Sequence, residues 1–194
     1  WWSVFWFLVY GNIYSFSNPL WHETGHKTAF QTKFLNELFY YISSYMANFE
    51  PTRWRYTHFV HHGNTYSTEN PFDHEIEYGN DLKETPKRLI INIIPFLDLV
   101  FIKKHISFEI VQHALGIKTK VMQDSIPENA KAKAILISRI YVVIWLSIVL
   151  WSILVSSWMP LLYFVLPQFY GKTLHKLVAF TQHAGLARNI KDHR

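Results

Sequence analysis

WWSVFWFLVYGNIYSFSNPLWHETGH, residues 1–26, carries no charge as far as Ser17 and then presents His22 and His26 just beyond that run. Seventeen residues would span roughly 25 Å as a helix, close to the hydrocarbon thickness of a bilayer. The run has no initiator Met, no basic start and no small-residue cleavage site, so it is not read as a signal peptide. It is expected to be most of a membrane crossing that begins mid-helix in a fragment, with the histidines emerging at the membrane surface.

Further along the chain the same pattern returns. Residues 135–157 are apolar apart from Arg139, which lies where it can snorkel, and residues 161–180 form a second run that closes with Lys172 and Lys176. Ser156 to Pro160 reads as the hairpin turn between them. Phe34 to Phe49 is apolar but short and contains Asn36 and Glu37, so an interfacial or re-entrant helix is expected there. Leu89 to Ile102 is broken by Pro95 and carries Asp98, which predicts two short helices lying on the membrane. Lys118 to Lys133 reads as a polar connection, with Pro127 and Glu128 as a helix start. No repeat or low-complexity tract interrupts the 194 residues, and a single domain, residues 1–194, is the simplest organisation.

Composition agrees with an all-α integral membrane bundle: 49% of the residues are hydrophobic and 18% aromatic, with eight Trp. Cys is absent, so any metal must be held by nitrogen and oxygen donors. The formal charge of +5 does not point to nucleic acid, because the basic residues are scattered among acids instead of forming a stripe. No Lys or Arg lies in residues 1–26 or 156–160, and apart from Arg139 all fall on the histidine side of the expected topology. By the positive-inside rule that side is cytoplasmic.

The chemistry lies in two histidine groups, His22 and His26 in HETGH and His58, His61 and His62 in HFVHH. Helical residues four apart differ by only about 40° around the axis, so His22 and His26 can converge. His58 shares a side with both His61 and His62, while those two diverge by about 100°, which suits two metals better than one. An interfacial role for isolated histidines does not explain two metal-compatible spacings in one chain. The first group also satisfies HExxH, in which Glu23 would be the general base of a zinc protease. Three further histidines exceed what one tetrahedral zinc can use, and the protease stands as the alternative from another class.

These residues resemble the membrane fatty acid desaturases and related hydroxylases, whose boxes read HxxxH or HxxxxH, then HxxHH, then a last HxxHH or QxxHH. The match is HETGH at 22–26 and HFVHH at 58–62 within RWRYTHFVHHGNTYSTENPFDHE, with TQHAGLARNIKDHR at 181–194 resembling the approach to the last box. The resemblance implies transmembrane helices under a cytoplasmic histidine-rich cap and two irons held mainly by imidazole. His22, His26, His58, His61 and His62 carry over as ligands, and His183 resembles the additional ligand found after the last membrane helix. The third box is absent before Arg194, so the isolated fragment is expected to bind iron poorly and to be inactive. Ala179 stands where some relatives have a polar residue one turn before the additional ligand. His193 is read as structural.

What the resemblance implies is oxidation of a fatty acyl chain by O2 and two electrons, giving a double bond, or a hydroxyl group on an alkane, carotenoid or sphingolipid if oxygen rebound wins. Partners would be the bilayer, an acyl lipid, and an electron donor such as cytochrome b5 or ferredoxin. Glu23, Asp73, Glu75 and Asp192 are candidates to fix the outward nitrogens of the imidazoles. His74, His105, His113 and His175 lack box spacing and are assigned no metal role. Trp21, Phe59 and Tyr66 could line an apolar acyl channel, with interfacial anchoring the commoner use of such residues.

Overall fold

The computed structural model describes residues 2–75, 85–94, 97, 106–171, 173–183 and 189. The expectations placed on Pro95, Asp98, His105, Asp192 and His193 lie outside the described residues. Every regular element described is an α-helix: α1 (Trp2–Ser15), α2 (Ser17–Gly25), α3 (Lys33–Met46), α4 (Pro51–Gly63), α5 (Thr85–Ile93), α6 (Ile106–Ala114), α7 (Lys120–Ser125), α8 (Glu128–Leu154), α9 (Met159–Phe164), α10 (Pro167–Tyr170) and α11 (Thr173–His183).

Among the described residues one helix, α8, is long and apolar enough to cross a membrane. Its 27 residues reach about 40 Å. It starts seven residues before the apolar run, because Glu128 pairs with Lys118 and Lys131 and so secures a charged first turn. Leu136, Ile140, Val143, Leu150 and Ile153 stand exposed along it. Arg139 does not snorkel away from the protein: its Nε donates to the carbonyl of Ala114, the last residue of α6, at 2.9 Å.

The second arm of the expected hairpin is not one helix. Residues 161–180 are divided among α9, α10 and α11, because Pro167 cannot donate to the preceding turn and the chain bends again at Gly171. Gly171 is where α10 crosses α1. A Cβ built there would stand 2.0 Å from the carbonyl oxygen of Gly11, and one built on Gly11 would stand 2.0 Å from the Tyr170 ring. The two backbones touch, and Tyr170 stacks on Phe7 with ring centroids 4.4 Å apart. The first run is likewise divided, with α1 giving way to α2 at Phe16.

The short apolar stretch after Lys33 is indeed a helix too short to cross, and its faces are reversed relative to a soluble protein. Asn36, Tyr40, Ser43 and Ser44 are buried, while Phe34, Leu38 and Ile42 are exposed at four-residue spacing. Inside, Asn36 accepts from the amide of Phe30 and donates to its carbonyl, satisfying the connection from α2. An apolar exterior over a hydrogen-bonded interior suits a helix in contact with lipid.

α4 is the polar centre of the molecule. Glu50 caps its N-terminus by accepting from the amides of Thr52 and Arg53, and Pro51 occupies the first turn where its missing N–H is harmless. Tyr40 and Tyr141 donate to the carbonyls of Pro51 and Phe49, tying the start of α4 to α3 and α8. Buried Arg53 pairs with Glu109 of α6 at 3.4 Å, and Arg55 reaches both oxygens of Glu37 at 3.1 Å. Trp21, Tyr40, Ala47 and Phe49 form the apolar cluster beneath the histidines. With both arginines engaged elsewhere, the last turns of α4 are presented to α2 and α11.

Candidate metal centre

Three helices bring six histidines together. His22 and His26 come from the end of α2, His58, His61 and His62 from the end of α4, and His183 from the last residue of α11. One nitrogen each of His22, His26, His58 and His62 lies within 4.8 Å of all the others, a group that could hold a metal ion. His61 points the other way from its neighbour and faces His183, with ring centroids 5.2 Å apart. The divergence predicted for His61 and His62 thus divides the histidines into a set of four and a set of two.

The orientation of the rings is set by carboxylates. His58 Nδ1 lies 2.9 Å from both oxygens of Glu75, and His61 Nδ1 lies 3.0 Å from Asp73 Oδ2. A protonated Nδ1 donating to a carboxylate leaves Nε2 as a lone pair, so this hydrogen-bond network assigns the tautomer of both rings. His58 Nε2 then faces His26 Nε2 at 3.2 Å and His62 Nε2 at 3.0 Å. One proton cannot satisfy three converging lone pairs, whereas a cation can. Nitrogens at right angles on metal bonds of about 2.1 Å are about 3 Å apart, so the donor set fits a metal.

Electrostatics favour the neutral form of His22, His26, His62 and His183. Burial and the neighbouring His58 and His26 push His22 down to about 4, and burial together with His58 lowers His26 and His62. Burial lowers His183 as well, helped by His61. His61 moves up: burial opposes its charge but is outweighed by the hydrogen bond to Asp73 and the charges of Glu75 and Asp73. Asp73 is held below the usual carboxylate range, because the bond from His61 and the amides of Glu75 and Tyr66 outweigh its burial. Neutral imidazole is the form that binds metal.

The other predicted residues distribute unevenly. Glu23 Oε2 accepts from the Thr28 hydroxyl at 2.9 Å in the turn that ends α2. Trp21 is buried edge-on to His58 at 5.2 Å, and Phe59 is exposed. Tyr66 is buried and hydrogen-bonded, which is not the setting of an interfacial anchor. His74 pairs with Asp124 at 2.9 Å, and His113 is enclosed beside Thr119 at 2.8 Å. His175 lines the same cavity of about 330 Å³ as His22, His58, His61 and His183, together with Asn18. Its position two helical turns before His183 was the available signal, and Ala179 lies between them on that face.

The sequence profile of the fatty acid desaturase family matches residues 1–194. The chain belongs to the fatty acid desaturase family. Membership in this family implies an oxidoreductase of the desaturase and hydroxylase type, and the family's characteristic iron dependence agrees with an all-nitrogen donor set in a chain without Cys. It also displaces the zinc protease reading of HETGH: in this desaturase-family chain the two box histidines converge with two more from α4. Neither the curated proteins nor the solved structures contain a match to this desaturase-family chain.

Proposed function

We propose that this chain is the histidine-bearing part, one domain over residues 1–194, of a membrane diiron enzyme that introduces a double bond into a fatty acyl chain. The observation that carries this reading is the convergence of His22, His26, His58 and His62 beside the facing pair His61 and His183. The set of four would hold one iron, and His61 with His183 would contribute to the second. When bound, such a pair supplies, with dioxygen and two electrons, the oxidising power that an unactivated methylene demands. Across the whole reaction the acyl chain loses a pair of hydrogens, and one dioxygen leaves as two waters after taking up two electrons and two protons from outside.

The residues of this chain orient the imidazoles and wall the cavity. Glu75 and Asp73 fix the rings of His58 and His61 by their Nδ1 protons, which raises the basicity of the opposite nitrogens. Trp21, Phe49 and Trp54 give the cavity an apolar wall against which an acyl chain can rest. The exposed apolar faces of α3 and α8 meet the bilayer, and the histidines lie on its cytoplasmic side, where cytochrome b5 or ferredoxin would deliver electrons.

Mass spectrometry of lipids from cells producing the enzyme that contains this chain tests the proposal. Acyl products lacking two hydrogens, abolished by His58→Ala, are the expected result. Products gaining one oxygen instead would establish a hydroxylase, and unchanged activity in His58→Ala would remove the metal centre from the reaction.

A further inference from the structure

We infer that Tyr66 is a positioning residue that locks the His61 and His183 half of the centre together, with Asn189 as its counterpart. This rests on the proposed function, since it concerns the second metal position. Tyr66 is 6% exposed and lies in the loop that follows the HFVHH helix, with φ at +60°. A tyrosine in the left-handed region is strained, and such conformations persist only where surrounding contacts over-determine them.

Here all three polar groups of Tyr66 are engaged, each with a different piece of the site. Its amide donates to Asp73 Oδ2 at 2.9 Å, the same oxygen that holds His61 Nδ1 at 3.0 Å. Its hydroxyl donates to the carbonyl of His183 at 2.5 Å. Its carbonyl accepts from the amide of Asn189 at 3.3 Å. Asn189 adds its own side chain, accepting from the Thr68 amide at 2.8 Å and donating to the Thr68 hydroxyl at 2.8 Å.

The carbonyls of a last helical turn have no partners within the helix, so a histidine at the end of one is on the least constrained part of it. The Tyr66 hydroxyl supplies the missing partner at His183 itself. It does so from the loop that also orients His61, so one residue sets the spacing of two imidazoles that come from helices more than a hundred positions apart. The set of four is drawn from α2 and from His58 and His62 of α4, whose ring nitrogens meet one another.

Cobalt(II) titration of the full chain in detergent, with amide hydrogen exchange read at Phe180–His183, separates these roles. In Tyr66→Phe the first cobalt should bind within about twofold of the unaltered chain, the second about tenfold more weakly, in line with other partners of ligating histidines, and exchange at the end of α11 should accelerate. Tyr66→Asn, which tolerates the left-handed backbone, should behave alike if the hydroxyl is what matters. An unchanged second affinity in both variants overturns the proposal. Failure of the unaltered chain to take up any cobalt sinks the metal centre instead; the lock is then judged by exchange alone, upheld by faster exchange in Tyr66→Phe and overturned by unaltered protection.

Discussion

Glu75 reaches His58 with both carboxylate oxygens, each 2.9 Å from Nδ1, seventeen positions after the histidine in sequence. That contact turns His58 Nε2 toward His26 and His62 and makes His58 the nitrogen on which the set of four is centred.

Glu75→Gln retains the shape but can offer its amide nitrogen to Nδ1 and so permit the other tautomer. Metal retained after purification, measured by plasma mass spectrometry, should fall by about 10–100-fold in affinity, while helix content by circular dichroism stays unchanged. Asp73→Asn should give a smaller loss of the first metal and a larger loss of the second, because Asp73 holds His61.

Acid should destabilise the metal-free chain through His22. Its folded value, lowered to about 4 by burial and its imidazole neighbours, lies below the ordinary 6.5, so the unfolded chain takes up the proton first. Stability from this group is complete above about pH 6.5 and is lost as pH falls toward 4. Thermal unfolding in detergent at a series of pH values should show this slope, flattened in His22→Asn.

Glu50 gives the opposite slope. Burial pushes its carboxyl up to about 7 despite the amides of Arg53 and Thr52, so the folded state holds a proton that the unfolded chain releases near 4.5. Its contribution is fully present below about pH 4.5 and is lost as pH rises through 7. Glu50→Gln should remove that dependence, and Glu50→Ala should reduce stability by about 0.5–2 kcal/mol at low pH through loss of the cap on α4, read by the same unfolding assay.

Gly171→Ala should destabilise by about 1–3 kcal/mol or more, because its Cβ would meet the Gly11 backbone, and Gly11→Ala should do the same, because its Cβ would run into the Tyr170 ring that is stacked on Phe7. Folded yield after detergent extraction and the midpoint of thermal unfolding would report it. Gly63→Ala, where a Cβ meets nothing within 4 Å, is the matched control.

Much of the centre was legible because histidine spacing and helical pitch are local. His22 with His26, and the divergence of His61 from His62, follow from the helix alone. Asp73 and Glu75 were identifiable as candidates, but their pairing with His61 and His58 depends on a loop whose path no periodicity reveals. Glu23, adjacent to a ligand in sequence, turns to Thr28 instead. His175 escaped because eight-residue spacing is a weak signal without knowledge of which face of α11 is turned inward. The second arm of the hairpin, expected over 161–180, rests on hydropathy, and hydropathy does not register that Pro167 and Gly171 break the rod.

The reversed faces of α3 mean that tolerance to substitution along it should run counter to intuition drawn from water-soluble proteins. Trading Leu38 or Ile42 for another oily residue alters little, whereas greasing the seam at Asn36 or removing the Tyr40 hydroxyl strips the helix of the bonds that seat it. Random mutagenesis of this stretch would therefore map the boundary between lipid and protein by where hydrophobic replacements cease to be silent.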